Sequence, residues 1–314
     1  MKTRYPTAFL AAAAVAAFLP TGILAGGADD QFAPPTAAPI SFRSGSLRVD
    51  QYGAGGRSLV LVPGLSCGPW VWYRLIDRLA PNYTVFTVTL PGFDGNASAP
   101  GQIGFSPVAE ELWAMLEARH IRRPVVIGHS LGGTLAIFLA EEHPDLLAGV
   151  VAIDGLPVFP MVANATPDQR NAFARQAATP YESMTQAQLE AANTAYMNAI
   201  GTTHADIAVA AARLEARSET VAIAAWTAES IRSDLRPGLA RATVPLLEIM
   251  PYNQSDAVPP RAFSQDQTLG FYRFLLSGAP DVTIVPASPS RHFAMFDQPA
   301  TTFDAIEAFL KALK

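Results

Sequence analysis

Pro124-Val125-Val126-Ile127-Gly128-His129-Ser130-Leu131-Gly132-Gly133 runs straight into Thr134-Leu135-Ala136-Ile137-Phe138-Leu139-Ala140-Glu141-Glu142. The first four residues form a short β-branched run, too brief for a helix and too apolar for a half-exposed strand, so they read as a buried strand. Leu131 to Glu142 has the composition of a helix. Between them lies G-x-S-x-G, with Ser130 at its centre. A serine on a sharp strand-to-helix turn projects its hydroxyl beyond the edge of a sheet, and the flanking glycines relieve the crowding that such a turn creates. The helix beginning at Leu131 aims its unpaired N–H groups and positive dipole end at the same point. This stretch marks Ser130 as a nucleophile.

Working outward, the same rhythm recurs. Strands are read at Ser58–Val62, Tyr83–Leu90, Pro124–Gly128, Leu147–Ile153, Leu246–Met250 and Asp281–Val285. Helices are read at Trp70–Leu79, from Ser106-Pro107 as cap and first position to Arg119, and at Leu131–Glu142, Arg261–Leu276 and Thr301–Leu313. Continuous apolar strands alternating with helices predict an α/β fold with a mostly parallel sheet covered on both faces. Residues 156–241 interrupt the pattern. They are alanine-rich, hold no convincing strand, and offer helices over Asp168–Ala178, Thr185–Ile200 and Ala205–Arg232. Inserted before the penultimate strand, this segment is expected to be a helical cap over the carboxyl edge of the sheet, where ligands of open α/β sheets bind.

The expected organisation is a signal peptide over 1–28, a flexible lead-in over 29–41, a core of 42–155 and 242–314, and the cap. Lys2 and Arg4 precede the apolar run Ala8–Leu19, which is shorter than the about 20 residues needed to span a bilayer. Small residues Ala25, Gly26, Gly27 and Ala28 follow it, as signal peptidase requires, with cleavage after Ala25 or Ala28. The expectation is a periplasmic or secreted protein without a stable membrane anchor. Gln31–Pro39 is rich in Pro and Ala, which suggests an extended lead-in.

Composition excludes several classes. Half of the 314 residues are hydrophobic, too many for a disordered chain. The net charge of −5, deepened by loss of Lys2 and Arg4 with the leader, gives no footprint for nucleic acid. It favours solubility and is compatible with a monomer. The single cysteine, Cys67, can build neither an intramolecular disulfide nor a zinc cluster. No His and carboxylate pairs have metal-ligand spacing, so neither metal nor cofactor is expected.

A serine hydroxyl needs a base within hydrogen-bond reach. Of the five histidines, His120 and His143 sit at helix ends, His129 lies inside the turn with Ser130, and His204 belongs to the insertion. His292, in a loop after the last strand, is the candidate base. The third member should be a carboxylate that accepts from the histidine. Asp256 follows one strand and Asp154 ends another, and both give the chain order Ser, Asp, His, so order leaves them open.

These residues resemble the α/β-hydrolase superfamily over nearly all of Ser58 to Leu313. Arg291-His292-Phe293-Ala294-Met295-Phe296-Asp297-Gln298-Pro299 is similar to that family's histidine loop. Trp72 and Leu90-Pro91-Gly92-Phe93-Asp94-Gly95 also resemble family stretches, and Pro63-Gly64-Leu65 occupies the place of its oxyanion loop. The resemblance implies an α/β-hydrolase fold and two-step acyl transfer. In it Ser130 attacks, His292 moves the proton, and the backbone N–H groups of Leu65 and Leu131 hold the oxyanion. It favours Asp256 as the acid, with Asp154 as the alternative used by a minority of members. Two departures stand out: Pro63 replaces a histidine, and Thr89 an aspartate.

The expected function is hydrolysis of small-molecule carboxylic esters or lactones, macrocycles included, with Met161, Met184, Tyr196, Met197 and Trp226 as candidate lining or plain packing. A proline-iminopeptidase-like exopeptidase is the alternative. It would need an acidic cluster, and Glu182, Glu190, Asp206 and Glu215 read better as helix-surface charge. Cys67 reads as a buried bystander. A non-catalytic binding protein on the same scaffold is the contrasting class, set back by the complete Ser, Asp and His set.

Overall fold

A computed structural model describes residues 27–256 and 263–313. The leader as far as Gly26 lies outside them. The elements are α1 (Ala28–Gln31), β1 (Ile40–Ser44), β2 (Leu47–Tyr52), β3 (Ser58–Val62), α2 (Tyr73–Leu79), β4 (Thr84–Thr89), α3 (Phe105–Ala118), β5 (Val125–His129), α4 (Leu131–Glu142) and β6 (Gly149–Ile153). The insertion holds α5 (Pro167–Glu182), α6 (Gln186–Tyr196), α7 (Ala205–Glu215) and α8 (Thr220–Arg232). Then come β7 (Leu246–Pro251), α9 (Gln265–Leu276), β8 (Val282–Ala287), α10 (Ala294–Asp297) and α11 (Pro299–Ala312).

The strands form one sheet in the order β1-β2-β4-β3-β5-β6-β7-β8, parallel from β4 to β8 and antiparallel at β1 and β2. The chain steps from β3 to β4 on one side and then returns to place β5 on the other. The carboxyl end of β5, where Ser130 follows, therefore opens at the point where strand order reverses. The β-branched residues that suggest buried strands alternate between two cores. Val60, Val126, Val150 and Leu246 face one side with Leu112 of α3 and Leu135 of α4. Leu59, Val125, Val151 and Leu247 face the other with Leu75 of α2 and Ile306 of α11. This is the α/β fold that the strand pattern predicts, a mostly parallel sheet with helices on both faces, and the α/β-hydrolase fold that the resemblance implies. Among the described residues no helix is long and apolar enough to cross a membrane.

Several local expectations change. The β1–β2 hairpin is not among the expected strands, although Gly45-Ser46 is a two-residue loop with glycine at positive φ. Helix α3 starts at Phe105 with Gly104 as cap, two residues before the expected Ser106 cap and Pro107 start. The single long helix expected over Ala205–Arg232 is two helices broken at residues 216–219. The lead-in is tied to the core: Phe32 stacks edge-on against Trp70 and Phe296, and the Thr36 N–H donates to Asp77. In the insertion, Thr166 and Thr185 each close a capping box with a glutamine three residues on. Helices α5 and α8 meet through Ala174, Ala178, Ala224 and Ala228, whose small side chains permit close approach. That use explains the alanine richness.

Candidate active site

Ser130 has φ +53° and ψ −118°, a sparsely populated positive-φ conformation that costs a non-glycine residue about 1–3 kcal/mol. Its surroundings hold it there. The Ser130 N–H donates to the Ile153 carbonyl across to β6 at 2.9 Å. A Cβ on Gly128 would sit 2.0 Å from the Gly132 carbonyl oxygen, one on Gly132 2.2 Å from that of Val62, and one on Gly133 2.8 Å from Gly155 Cα. The motif glycines are thus demanded by the packing of the turn against β3 and β6.

Pro63-Gly64-Leu65 borders the same residue, since a Cβ on Gly64 would lie 3.3 Å from Ser130 Cβ. Neither the Leu65 nor the Leu131 N–H donates to any other group among the described residues. Among the described residues these two backbone donors near Ser130 thus have no acceptor, and that of Leu131 stands at a helix N-terminus.

The loop after β8 carries His292 and is fixed from the insertion side. The backbone N–H groups of His292 and Phe293 donate to the carbonyls of Ile200 and Gly201, at 3.1 and 2.9 Å. On the other side His129 Nε2 donates to the His292 carbonyl at 3.1 Å, and the two imidazole rings lie 4.6 Å apart. His129 is buried with Nδ1 unpaired, and desolvation, helped by nearby His292, holds its pKa well below the ordinary value. It is a neutral structural donor. The His292 ring faces Asp154, with Nδ1 2.5 Å from Oδ2. A carboxylate only accepts, so Nδ1 carries the proton and Nε2 is left as an acceptor.

Asp154 directly follows β6 with φ +50°, its own N–H donating to the Ile249 carbonyl of β7 at 3.0 Å. Its second carboxylate oxygen accepts from the Tyr272 hydroxyl of α9. Asp256, the acid favoured by resemblance, is not brought to His292. It stands in an exposed turn where the Arg291 guanidinium grips it with two bonds of 2.8 Å, and Asn253 adds a third of 3.0 Å. Arg291 also donates to the carbonyls of Asn198 and Thr202, so Asp256 braces the histidine loop from outside.

The remaining candidates separate. The Tyr196 ring lies edge-on to His292 at 6.3 Å. It is 40% exposed, and desolvation holds its hydroxyl's pKa well above the ordinary value. Met197 and Trp226 are fully buried, the indole donating to the Pro91 carbonyl, and Met161 is largely exposed. Two open hollows of about 280 and 370 Å³, around α9 and the loop before β7, include none of these residues. Cys67 is buried with Sγ 3.8 Å from Glu215. Glu215 is itself 4% exposed, unlike the solvated surface charge expected, and burial pushes its pKa to about 8. Sequence reasoning misses Tyr272, Ser218 and Glu248. None belongs to a local motif, though a glutamate in the middle of an apolar strand is a visible signal.

The model of the Alpha/beta hydrolase family matches residues 59–305. A pimeloyl-[acyl-carrier protein] methyl ester esterase of Aeromonas hydrophila subsp. hydrophila is 37% identical over 117 residues, 36% of this chain and 43% of that protein. The chain thus spans about two fifths of the length of the curated relatives it matches. A thermophilic esterase from Thermogutta terrifontis superposes with a TM-score of 0.67 at 17% identity, over 88% of this chain and 98% of that one. The enol-lactonase of Burkholderia xenovorans LB400 does so with a TM-score of 0.64 at 18% identity, over 84% and 96%.

Proposed function

The chain belongs to the alpha/beta hydrolase family, and from that premise we propose that it is a serine hydrolase cleaving carboxylic esters or lactones through an acyl-enzyme on Ser130. The observation that carries this reading is the contact between His292 Nδ1 and Asp154. It leaves Nε2 free as a base on a loop packed against the residue before Ser130. His292 takes the Ser130 proton as the oxygen attacks the carbonyl, and the N–H groups of Leu65 and Leu131 receive the developing oxyanion. Each such donor is worth about 10²–10³ in rate. The protonated imidazole, charge-stabilised by Asp154, returns its proton to the leaving alcohol. Water then enters by the same route and frees the acid. In a lactone the leaving alcohol stays attached to the acyl chain, so the chemistry is unchanged.

Residues 156–241 serve as the cap in this reading, with Tyr196 nearest the base. The exopeptidase alternative needs a negative charge for the substrate's ammonium. Glu215 is the acid buried beside the oxyanion loop, and with its pKa near 8 it is mostly uncharged at neutral pH. That favours ester over amino-terminal peptide. Export to the periplasm or the medium rests on the leader read over 1–28. It is tested by N-terminal sequencing of the protein from a periplasmic fraction.

The deciding experiment is turnover of p-nitrophenyl esters of increasing chain length, simple and macrocyclic lactones and a proline anilide, beside Ser130→Ala. The variant should lose about 10⁴–10⁶ in kcat with its fold intact. Activity retained in the variant sinks the reading, and proline anilide turnover alone moves the protein to the peptidases. Failure of Ser130 to label with a fluorophosphonate points to a binding protein.

A further inference from the structure

Residues 216–219, the turn joining α7 to α8, fasten the insertion to the loops that follow β3 and β4. The Glu219 N–H donates to the Gly92 carbonyl at 2.8 Å, the Gly95 N–H to the Arg217 carbonyl at 3.2 Å, and the Ser98 hydroxyl to the Glu219 carboxylate at 2.5 Å. Ser218 stands at the centre of this seam and is 2% exposed. Its hydroxyl donates to the Ser66 carbonyl at 3.0 Å and accepts from the Asp94 N–H at 3.2 Å.

Both partners are in the left-handed region, Ser66 at φ +61° and Asp94 at φ +45°. The Cys67 N–H donates to the Gly64 carbonyl at 3.1 Å and closes a four-residue turn with Ser66 at its third position, where such turns ordinarily require glycine. A serine there is under strain that something must hold. Asp94 is itself anchored, its carboxylate facing Arg48 at 3.0 Å and Arg217 at 3.6 Å. The Leu65 N–H belongs to the strained turn, so a rotation at Ser66 moves it relative to Ser130.

We propose that Ser218 is a positioning residue of the oxyanion hole, locking the Gly64–Cys67 turn so that the Leu65 N–H meets the oxygen developing on the Ser130-bound acyl group. This rests on the acyl-transfer reading above. It makes the insertion more than a wall of the pocket, because the insertion supplies the hydroxyl that sets a catalytic donor on the core.

The test is steady-state hydrolysis of a p-nitrophenyl ester by wild type, Ser218→Ala and Glu219→Gln, each with its unfolding midpoint. Ser218→Ala should lower kcat about 10–10²-fold, as misplacement of a catalytic group does. KM should stay within about twofold and the pH profile keep its shape, since the triad is untouched. Glu219→Gln weakens the same seam without touching Ser66 and should keep kcat within about twofold. A Ser218→Ala variant with undiminished kcat overturns the proposal, as does a loss confined to KM or shared equally by Glu219→Gln. If Ser218→Ala does not fold, Ser218→Cys fills the same space with a weak donor and is judged by the same kcat criterion. An inert Ser130→Ala beside a normal Ser218→Ala defeats this proposal alone. A wild type inert to esters and fluorophosphonate defeats the acyl-transfer reading and this inference with it.

Discussion

The Tyr272 hydroxyl donates to Oδ1 of Asp154 while Oδ2 of the same carboxylate faces His292 Nδ1. A helix on one side of the sheet and a loop beyond its last strand thus meet on one side chain. The carboxylate has no freedom to rotate without breaking one of the two bonds. Desolvation, the nearby charge of Asp154 and the bond to it keep the buried tyrosine protonated, with a pKa well above the ordinary value, so it remains a donor at working pH. Hydrogen bonds to charged groups are worth about 1.5–3 kcal/mol. Only the part of that energy felt in the transition state reaches the rate, so Tyr272→Phe should lower kcat by no more than about 10–10²-fold with KM nearly unchanged, and lower the unfolding midpoint by a few degrees. Ester kinetics beside thermal unfolding check this, and an unaltered kcat would show that Asp154 needs no second anchor.

The two candidate acids make opposite predictions. Asp154→Asn removes the charge and turns one of two accepting oxygens into an NH2 donor, so His292 is no longer held in its productive tautomer, and kcat should fall about 10³–10⁴-fold, as loss of a triad carboxylate does elsewhere. Asp256→Asn weakens a half-exposed pair with Arg291 and should cost less than about 1 kcal/mol of stability and no more than a few-fold in rate. Parallel kinetics on the two variants decide between them. Severe loss in Asp256→Asn with near-normal Asp154→Asn would reverse the assignment.

What is legible in the sequence is local. The turn around Ser130 and the loop around His292 announce themselves because glycines and a histidine must stand at fixed offsets from a strand end. The choice of acid cannot be read this way. Asp154 and Asp256 both follow strands, and only the side-by-side pairing of β6 and β7 and the reach of Arg291 separate them. The break between α7 and α8 is hidden by alanines that favour helix throughout, yet it delivers Ser218 and Glu219 to the core. Tyr272 sits on an amphipathic helix where an aromatic residue reads as packing, and its role comes from a partner 118 positions away.

Glu248 is fully buried in β7, and neither carboxylate oxygen has a hydrogen-bond partner among the described residues. The backbone N–H groups of Asp154 and Gly155 soften its isolation without closing a bond of normal geometry. Burial first, and the charge of Asp154 second, push its pKa well above the carboxylate range, so it stands as a neutral acid behind the triad. Glu248→Gln exchanges one neutral polar group for another and should leave kcat within about twofold. Glu248→Leu removes an unsatisfied buried group and should hold or raise stability, by up to about 1–3 kcal/mol. Urea unfolding and ester kinetics test the pair. A large kcat loss in Glu248→Gln would mean that its proton takes part in the reaction.

Two further acids make stability depend on pH. Burial raises Glu215 to about 8 and Glu141 to about 7, from an ordinary 4.5. A carboxyl whose pKa rises on folding binds its proton more tightly in the native state. Its contribution to stability is therefore complete below about pH 4.5 and declines as pH rises, until the native group has ionised. For Glu215 the decline should run to about pH 8 and amount to a few kcal/mol, since each tenfold gain in proton affinity on folding is worth about 1.4 kcal/mol. For Glu141, beside Arg241, it should end near pH 7 and be smaller. Glu215→Gln cannot ionise, so its stability relative to wild type should rise between pH 5 and pH 8.5, and Glu141→Gln should show the same sign over a narrower range. Urea midpoints of the three proteins at pH 5, 6.5 and 8.5 measure this directly. A difference between wild type and Glu215→Gln that stays constant with pH would mean that Glu215 is ionised in the native protein. The ester reading would then lose its argument against a charged subsite for an ammonium group.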